Sequence, residues 1–350
     1  MKRTRFTWIA FLVAFVLVVA ACGDDDTTET TDAPASTEAP TTTEAAASTE
    51  APAEPFRIAI VAPSASNDLA FTQSIVDAVN VIAGEMGNVE VQVTDGTFVV
   101  EDAALAIRGY ASDGVDLVIA HGSQYGGSLS EIAPDFPDTA FAWGTAADTF
   151  GLPNVFSYEA ASDEGGYVMG VMGAALSTTG VIGIVGPIEV GDAKLYVDGY
   201  QAGALAENPD ATVNINYTGS FSDVALASEA AQSHLAAGAD VLTGTAQMVV
   251  GAVGVANENE LLWFGTQANQ TSLAPDIVVA SQVYHWEVSL RDMVAKIQSG
   301  TLGGEIYVID LANGGIEIEF NDGFDLPADV LAKAEAAIAG IESGAISTGS

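Results

Sequence analysis

The sequence predicts an α/β protein of two similar lobes, each a doubly wound parallel sheet. Three observations carry this. Short apolar, β-branched runs alternate with helix-length stretches from Arg57 onward. The alternation restarts near Ser162 after five strands, so two half-sized runs follow one another. IAIVA (58–62) is a continuous apolar, partly β-branched run, as expected of a strand covered on both faces.

In the first run, RIAIVA (57–62), VEVQV (89–93), DLVIA (116–120), TAFAW (139–143) and NVFSY (154–158) read as strands. Helices are expected over 69–85 and 101–112, and a loop with a helix over 122–132. Asp68 is placed to cap the 69–85 helix. The second run opens with a helix over 162–176, whose Asp163 and Glu164 suit its positive end. Strands follow at 181–185, 212–217, 240–243, 261–265 and 277–281, with helices over 192–206, 223–237, 248–258 and 285–298. Asp223 is read as a helix cap and His234 as structural. EIYVID (305–310) and IEIEF (316–320) look like a hairpin-like pair around Asn313-Gly314-Gly315, before a last helix over 327–342.

The N-terminus is of another kind. Lys2, Arg3 and Arg5 precede an apolar run over 6–21, broken only by Thr7, with small residues at its end. This is the pattern of an export signal over residues 1–21, and it is shorter than the roughly 20 residues that comfortably span a bilayer. Val19-Ala20-Ala21-Cys22 resembles a bacterial lipobox, in which the cysteine receives a lipid on sulfur. That use explains why Cys22 is the single cysteine of the chain. Two or three acyl chains would hold the protein stably on the outer face of the cell membrane. Residues 23–55 are Thr, Ala, Pro, Ser and acids, with no basic or large apolar residue. Such a stretch cannot bury enough surface to fold and is expected to be a tether with a reach of about 30 Å.

The formal net charge is −38, and Arg57, Arg108, Lys194, Arg291, Lys296 and Lys333 are the basic residues beyond the signal. No basic patch exists for a phosphate backbone, which argues against nucleic acid and disfavours strongly anionic ligands. Three scattered histidines and one cysteine offer no zinc-site spacing, and no cofactor motif follows any strand. Ligands of open α/β sheets gather at the carboxyl ends of strands. The loops there, PSASND, HGSQYGG, GTAADTFG, GPIEVGD, TGSFSD, TGTAQ, GTQANQ and SQVYHW, are rich in Gly, Ser, Thr, Asn and Gln with a few aromatics. They suit a neutral hydrogen-bonding ligand held by rings. Asn67, His121 and Thr245 are candidate contacts in these loops.

AFTQS, LPNVFSYEAASDEGGYVMGVMGAAL, VIGIVG, DGYQAGALAENPDATVNINYTGSFSD, LAAGADVL and TSLAPDIVVAS occur in this order. The set resembles the basic membrane protein (Med-like) family of substrate-binding lipoproteins of ABC transporters, over roughly residues 56–320. The resemblance implies a type I periplasmic-binding-protein fold: two lobes, a three-stranded hinge and a cleft between them. The lobes would divide as 56–158 plus 267–304 and 159–266 plus 305–345. A membrane permease and an ATPase would be the partners, with a nucleobase or nucleoside as the small-molecule ligand. In the nucleoside-binding branch two phenylalanines sandwich the purine, and Phe71 and Phe221 stand at those positions. Thr72 replaces an Asn, Thr145 and Gln267 replace acids, and Tyr284 replaces a Lys. The lost carboxylates leave the ribose contact open. Aromatics near Tyr284-His285-Trp286 resemble a branch suited to free bases, so Tyr284 and Trp286 join the expected contacts. A sensor lipoprotein signalling to a membrane receptor is the alternative. A surface nucleosidase would need clustered carboxylates, which the cleft loops have lost.

Overall fold

The computed structural model describes residues 54–349. The predicted signal, Cys22 and nearly all of the tether lie outside the described residues. The first run forms β1 (Phe56–Val61), α1 (Phe71–Met86), β2 (Val89–Thr94), α2 (Val100–Ser112), β3 (Leu117–His121), α3 (Gly126–Ile132), β4 (Ala140–Gly144) and β5 (Val155–Ala160). The second forms α4 (Ser162–Leu176), β6 (Val181–Gly186), α5 (Gly191–Glu207), β7 (Thr212–Tyr217), α6 (Val224–Ala236), β8 (Val241–Gly244), α7 (Val250–Glu258), β9 (Leu262–Gln267) and β10 (Val278–Tyr284). The C-terminal part adds α8 (Glu287–Gln298), β11 (Ile306–Ile309), β12 (Ile316–Phe320) and α9 (Ala328–Glu342).

These strands make two six-stranded sheets, ordered β2-β1-β3-β4-β5-β11 and β7-β6-β8-β9-β10-β12. The first five strands of each sheet follow the same order, as two doubly wound lobes should. The first sheet is parallel throughout, and β12 alone runs antiparallel in the second. Central strands are buried on both faces. In β1, Ile58 and Ile60 enter one core while Ala59 and Val61 enter another.

The expected hairpin does not form. β11 pairs in parallel with β5, and β12 pairs antiparallel with β10. The expected lobe division is corrected accordingly: β10 belongs to the second sheet and β11 to the first. Both β5 and β10 have an outer edge with unpaired backbone groups, and each edge takes one of the late strands. Asn313 still builds a turn, accepting from the Asp310 and Gly315 amides and donating to the Val308 carbonyl. That turn carries the chain from one lobe to the other.

Three crossings therefore join the lobes, at Ala161, at His285 and over residues 310–315. They are bonded to one another. The Ala161 amide donates to the Ile309 carbonyl at 2.9 Å, and the His285 amide to the Gly315 carbonyl at 2.8 Å. The Ser162 and Tyr284 hydroxyls meet at 2.6 Å. α8 returns to the first lobe and packs on α1, where Arg291 pairs with Glu85. α9 returns to the second lobe and packs on α4.

In the second lobe α4 and α5 pack backbone to backbone. A Cβ added at Gly170 would lie 2.1 Å from the Tyr200 carbonyl oxygen, and one at Gly203 would lie 2.0 Å from that of Tyr167. The facing element is backbone and cannot swing aside. Gly170→Ala is expected to cost about 1–3 kcal/mol or more through overpacking. Gly109 of α2 has open space around it, so Gly109→Ala should instead stabilise by about 0.5–1 kcal/mol. Urea unfolding of the two variants checks this, and equal midpoints would contradict it.

Candidate functional site

A cavity of about 420 Å³, mouth included, lies where the carboxyl ends of both sheets converge. The first lobe contributes Phe71 from the start of α1, Phe98 from the loop after β2, and Thr145 from just beyond β4. The second contributes Asp192 from the start of α5, Phe221 from the loop after β7, and Gln267 from the end of β9. The wall residues thus lie at or beyond the carboxyl ends of strands, where a parallel sheet places its ligands.

Phe71 is held from behind. Its ring stacks on the His121 imidazole at 4.0 Å. His121 is wholly buried; its Nδ1 lies 2.7 Å from the Tyr158 hydroxyl and its Nε2 3.1 Å from the Phe71 carbonyl. A carbonyl only accepts, so Nε2 carries the proton and Nδ1 accepts from Tyr158. Tyr158 packs edge-on against Trp286 at 5.0 Å, and Trp286 edge-on against Tyr284 at 5.1 Å. The Trp286 indole donates to the Ser74 hydroxyl of α1 at 2.9 Å. A chain of rings therefore runs from the cavity wall into the hinge. Asp68 fixes the approach to α1, accepting from the Ala70, Thr72 and Gln73 amides. The helix starts at Phe71, two residues later than expected, because Leu69 takes a left-handed φ of 52°.

Phe221 is half-buried and belongs to none of the hydrophobic cores, so its ring is free to serve the cavity. Its carbonyl accepts from the Met248 amide at 3.1 Å, which ties its loop to the one after β8. Asp223 caps α6 as expected, accepting from the Ala225 and Leu226 amides. His234 is structural as expected, with Nε2 3.1 Å from the Ile184 carbonyl.

Phe71, Thr145, Phe221 and Gln267 meet at the cavity. The other expected contacts stand elsewhere. Asn67 is exposed on the first loop. Thr72 is buried against the Ser64 hydroxyl at 2.7 Å. His121, Tyr284 and Trp286 form the buried ring chain, one layer behind the wall. Thr245 is buried beside Ala246, and its hydroxyl has no partner.

Asp192 closes the GPIEVGD loop and opens α5, but was not named among the expected contacts. Thr145 and Gln267 stand where the resemblance expects acids, and Asp192 supplies a carboxylate to the same wall. The Thr145 hydroxyl donates to the Asp192 Oδ1 at 3.2 Å, and the nearby Gln267 side chain helps to lower its pKa. The Tyr284 hydroxyl lies 3.5 Å from Oδ2. Burial pushes its carboxyl above the ordinary range, while these donors and nearby backbone amides pull it back. Phe98 was also missed: it stands 37% exposed at the mouth, with Val190 opposite it in sequence origin, from the second lobe. The loop carrying Phe98 follows an edge strand and was not among those singled out. Ala246 and Gln267, both on the wall, hold left-handed φ values of 73° and 72°. Non-glycine residues adopt these at a cost of about 1–3 kcal/mol, a cost that collects at functional sites.

Burial lowers the His121 pKa to about 3. The native ring should therefore stay neutral from pH 8 to about pH 4. The unfolded ring takes its proton near 6.5, so His121 leaves stability unchanged above that pH. As pH falls from 6.5 towards 3, it progressively withdraws stability. Imidazole nitrogen shifts in NMR check the ring, and a native midpoint near 6.5 would contradict its sealing.

The family profile described as ABC transporter substrate-binding protein PnrA-like matches residues 56–339. The transcriptional activator protein Med of Bacillus subtilis is 27% identical over 264 residues, covering 75% of this chain and 81% of that one. A purine-binding protein of Brucella abortus is 27% identical over 244 residues, covering 69% and 68%. A solved ABC-transporter solute-binding protein from Conexibacter woesei superposes with a TM-score of 0.69 at 26% identity, over 83% of this chain and 97% of that one. Profile, relatives and fold agree: the chain belongs to the PnrA-like family of ABC transporter substrate-binding proteins.

Proposed function

We propose that this protein is a lipid-anchored, extracytoplasmic receptor of an ABC import system, and that it captures a flat, neutral, purine-like molecule between its lobes. One observation carries the choice of ligand. Phe71 from the first lobe and Phe221 from the second line the same cavity, whose lining includes no lysine or arginine. Two rings from opposite lobes can clamp an aromatic face, and a site without cations does not favour phosphate or carboxylate ligands. The Brucella purine-binding relative supports the same class.

Closure follows from the clamp. A ligand that touches both phenylalanines binds the closed form better than the open one, and this difference in affinity drives the lobes together. The three bonded crossings confine the motion to the hinge. The ring chain behind Phe71 keeps that wall in place, so Phe71 acts as a fixed jaw. Lipid on Cys22 would keep the receptor beside its permease, with residues 23–55 as the link.

Thermal-shift screening of nucleobases, nucleosides, sugars and amino acids tests the ligand class. Purines should stabilise the protein and sugars should not; the reverse pattern would refute the reading. Stacking of a base on an aromatic ring is worth about 1–3 kcal/mol. Phe71→Ala and Phe221→Ala should each weaken purine binding about 5- to 150-fold by calorimetry. Unchanged affinity in the double variant would remove the clamp. In a host with lipoprotein processing, Cys22→Ala should move the protein from the membrane fraction to the soluble one. A variant still held in the membrane would contradict the lipid anchor.

A further inference from the structure

Resting on that reading, we infer that Asp192 and Gln267 form a paired acceptor on the cavity wall that selects flat neutral ligands presenting two hydrogen-bond donors on one edge. Both residues line the cavity and both are buried, at 7% and 2% exposure. Asp192 offers a carboxylate. Gln267 lies close enough to Asp192 to lower its pKa, and its Oε1 is buried without a partner. Setting that amide oxygen against a carboxylate oxygen would be unfavourable, so the charge of Asp192 dictates which end of Gln267 stays free.

The balance of donors and acceptors here is uneven. Asp192 accepts from the Thr145 hydroxyl at 3.2 Å and, at the long distance of 3.5 Å, from Tyr284, with backbone amides nearby; a carboxylate has about four lone-pair sites, so it can still take a ligand donor. No lysine or arginine lines the cavity. The nearest basic residue in sequence, Lys194, is turned to Asp198 and Glu189 on the surface. A buried carboxylate without a cation, beside an orphan carbonyl oxygen, is costly until donors reach both. A ligand edge with two N–H or O–H groups supplies them. A ligand with acceptors alone on that edge leaves both groups unmet, and an anionic ring meets direct repulsion.

Gln267 is held for this task by its backbone. Its φ of 72° is one that side-chain-bearing residues avoid. The turn places its side chain beside Asp192 instead of continuing the pleat of β9. The pairing spans three parts of the fold: α5 supplies Asp192, the end of β9 supplies Gln267, and Thr145 of the first lobe donates across the cleft. The acceptor pair is thus assembled where the two lobes meet.

The two donors can come from the N–H edge of a base or from the vicinal hydroxyls of a ribose. Calorimetry on wild type and Asp192→Asn separates these sources, using guanine, caffeine, urate, inosine and 2′,3′-dideoxyinosine. Guanine presents N1–H and N2–H on one edge, caffeine has no N–H, and urate is an anion at pH 7. If the base edge is read, guanine should bind wild type at least tenfold tighter than caffeine and urate. If the ribose is read, inosine should exceed its dideoxy analogue by at least tenfold. In either case Asp192→Asn should shrink the preference to less than threefold. Its melting temperature without ligand should match or exceed that of wild type, because a buried charge is removed, so a misfolded variant is recognised. Purine binding that is equally tight and equally selective in Asp192→Asn overturns the paired acceptor and leaves the purine reading standing. Failure of every compound to bind wild type overturns the purine reading, and the inference with it.

Discussion

Parallel pairing cannot be closed by tight turns. Each strand must be followed by a crossover, and all strand-to-helix loops of a sheet emerge along one edge. This constraint organises the whole molecule. Two sheets of the same strand order bring two sets of loops to one cavity, and the residues that line it come from those loops. The late strands β11 and β12 obey a second demand, that exposed sheet edges find partners. In satisfying it they pass between the lobes and complete the hinge.

The wall and the hinge are one packed object on the side of the first lobe. Phe71 rests on His121, His121 bonds Tyr158, and Tyr158 packs on Trp286 beside the crossing at His285. The imidazole serves here as a neutral, two-ended spacer: one nitrogen donates to a carbonyl and the other accepts from a phenol. Its burial among rings keeps it uncharged. The wall of the second lobe differs. Phe221 stands on a loop outside the cores, tied down by one backbone bond to the segment after β8. The cavity is thus lined by one deeply packed ring and one shallow ring.

Much of this was legible beforehand because it depends on local pattern. Continuous apolar runs between helix-length stretches exposed the parallel sheets. Asp68 and Asp223 announced the starts of α1 and α6 through the chemistry of the cap. Phe71, Phe221, Thr145 and Gln267 could be singled out because they follow or end strands and lie at positions that resemble a known family. Asp192 could not. An acid near a helix start has an ordinary explanation in the helix dipole. Its contacts are with residues 145, 267 and 284, all far away in sequence. Phe98 escaped for a related reason: its loop follows an edge strand with no fully buried residue, which gives little hint that the next turn reaches the cavity.

Tyr284 and Trp286 mark the boundary between the two kinds of knowledge. Being aromatic and close to a strand end is a property of the chain, and it pointed to the cleft. Which side of the hinge those rings occupy depends on what packs behind them, and His121 and Tyr158 draw them into the core. The order of strands and helices, the caps, the acidic character and the single cysteine after an apolar run were determined by the sequence alone, because each follows from neighbours a few residues apart. The exchange of β10 and β11 between lobes, the ring chain behind Phe71, and the meeting of Asp192 with Gln267 and Thr145 were decided only by tertiary structure. Edge pairing, ring packing and buried hydrogen bonds join residues that the chain keeps tens to hundreds of positions apart.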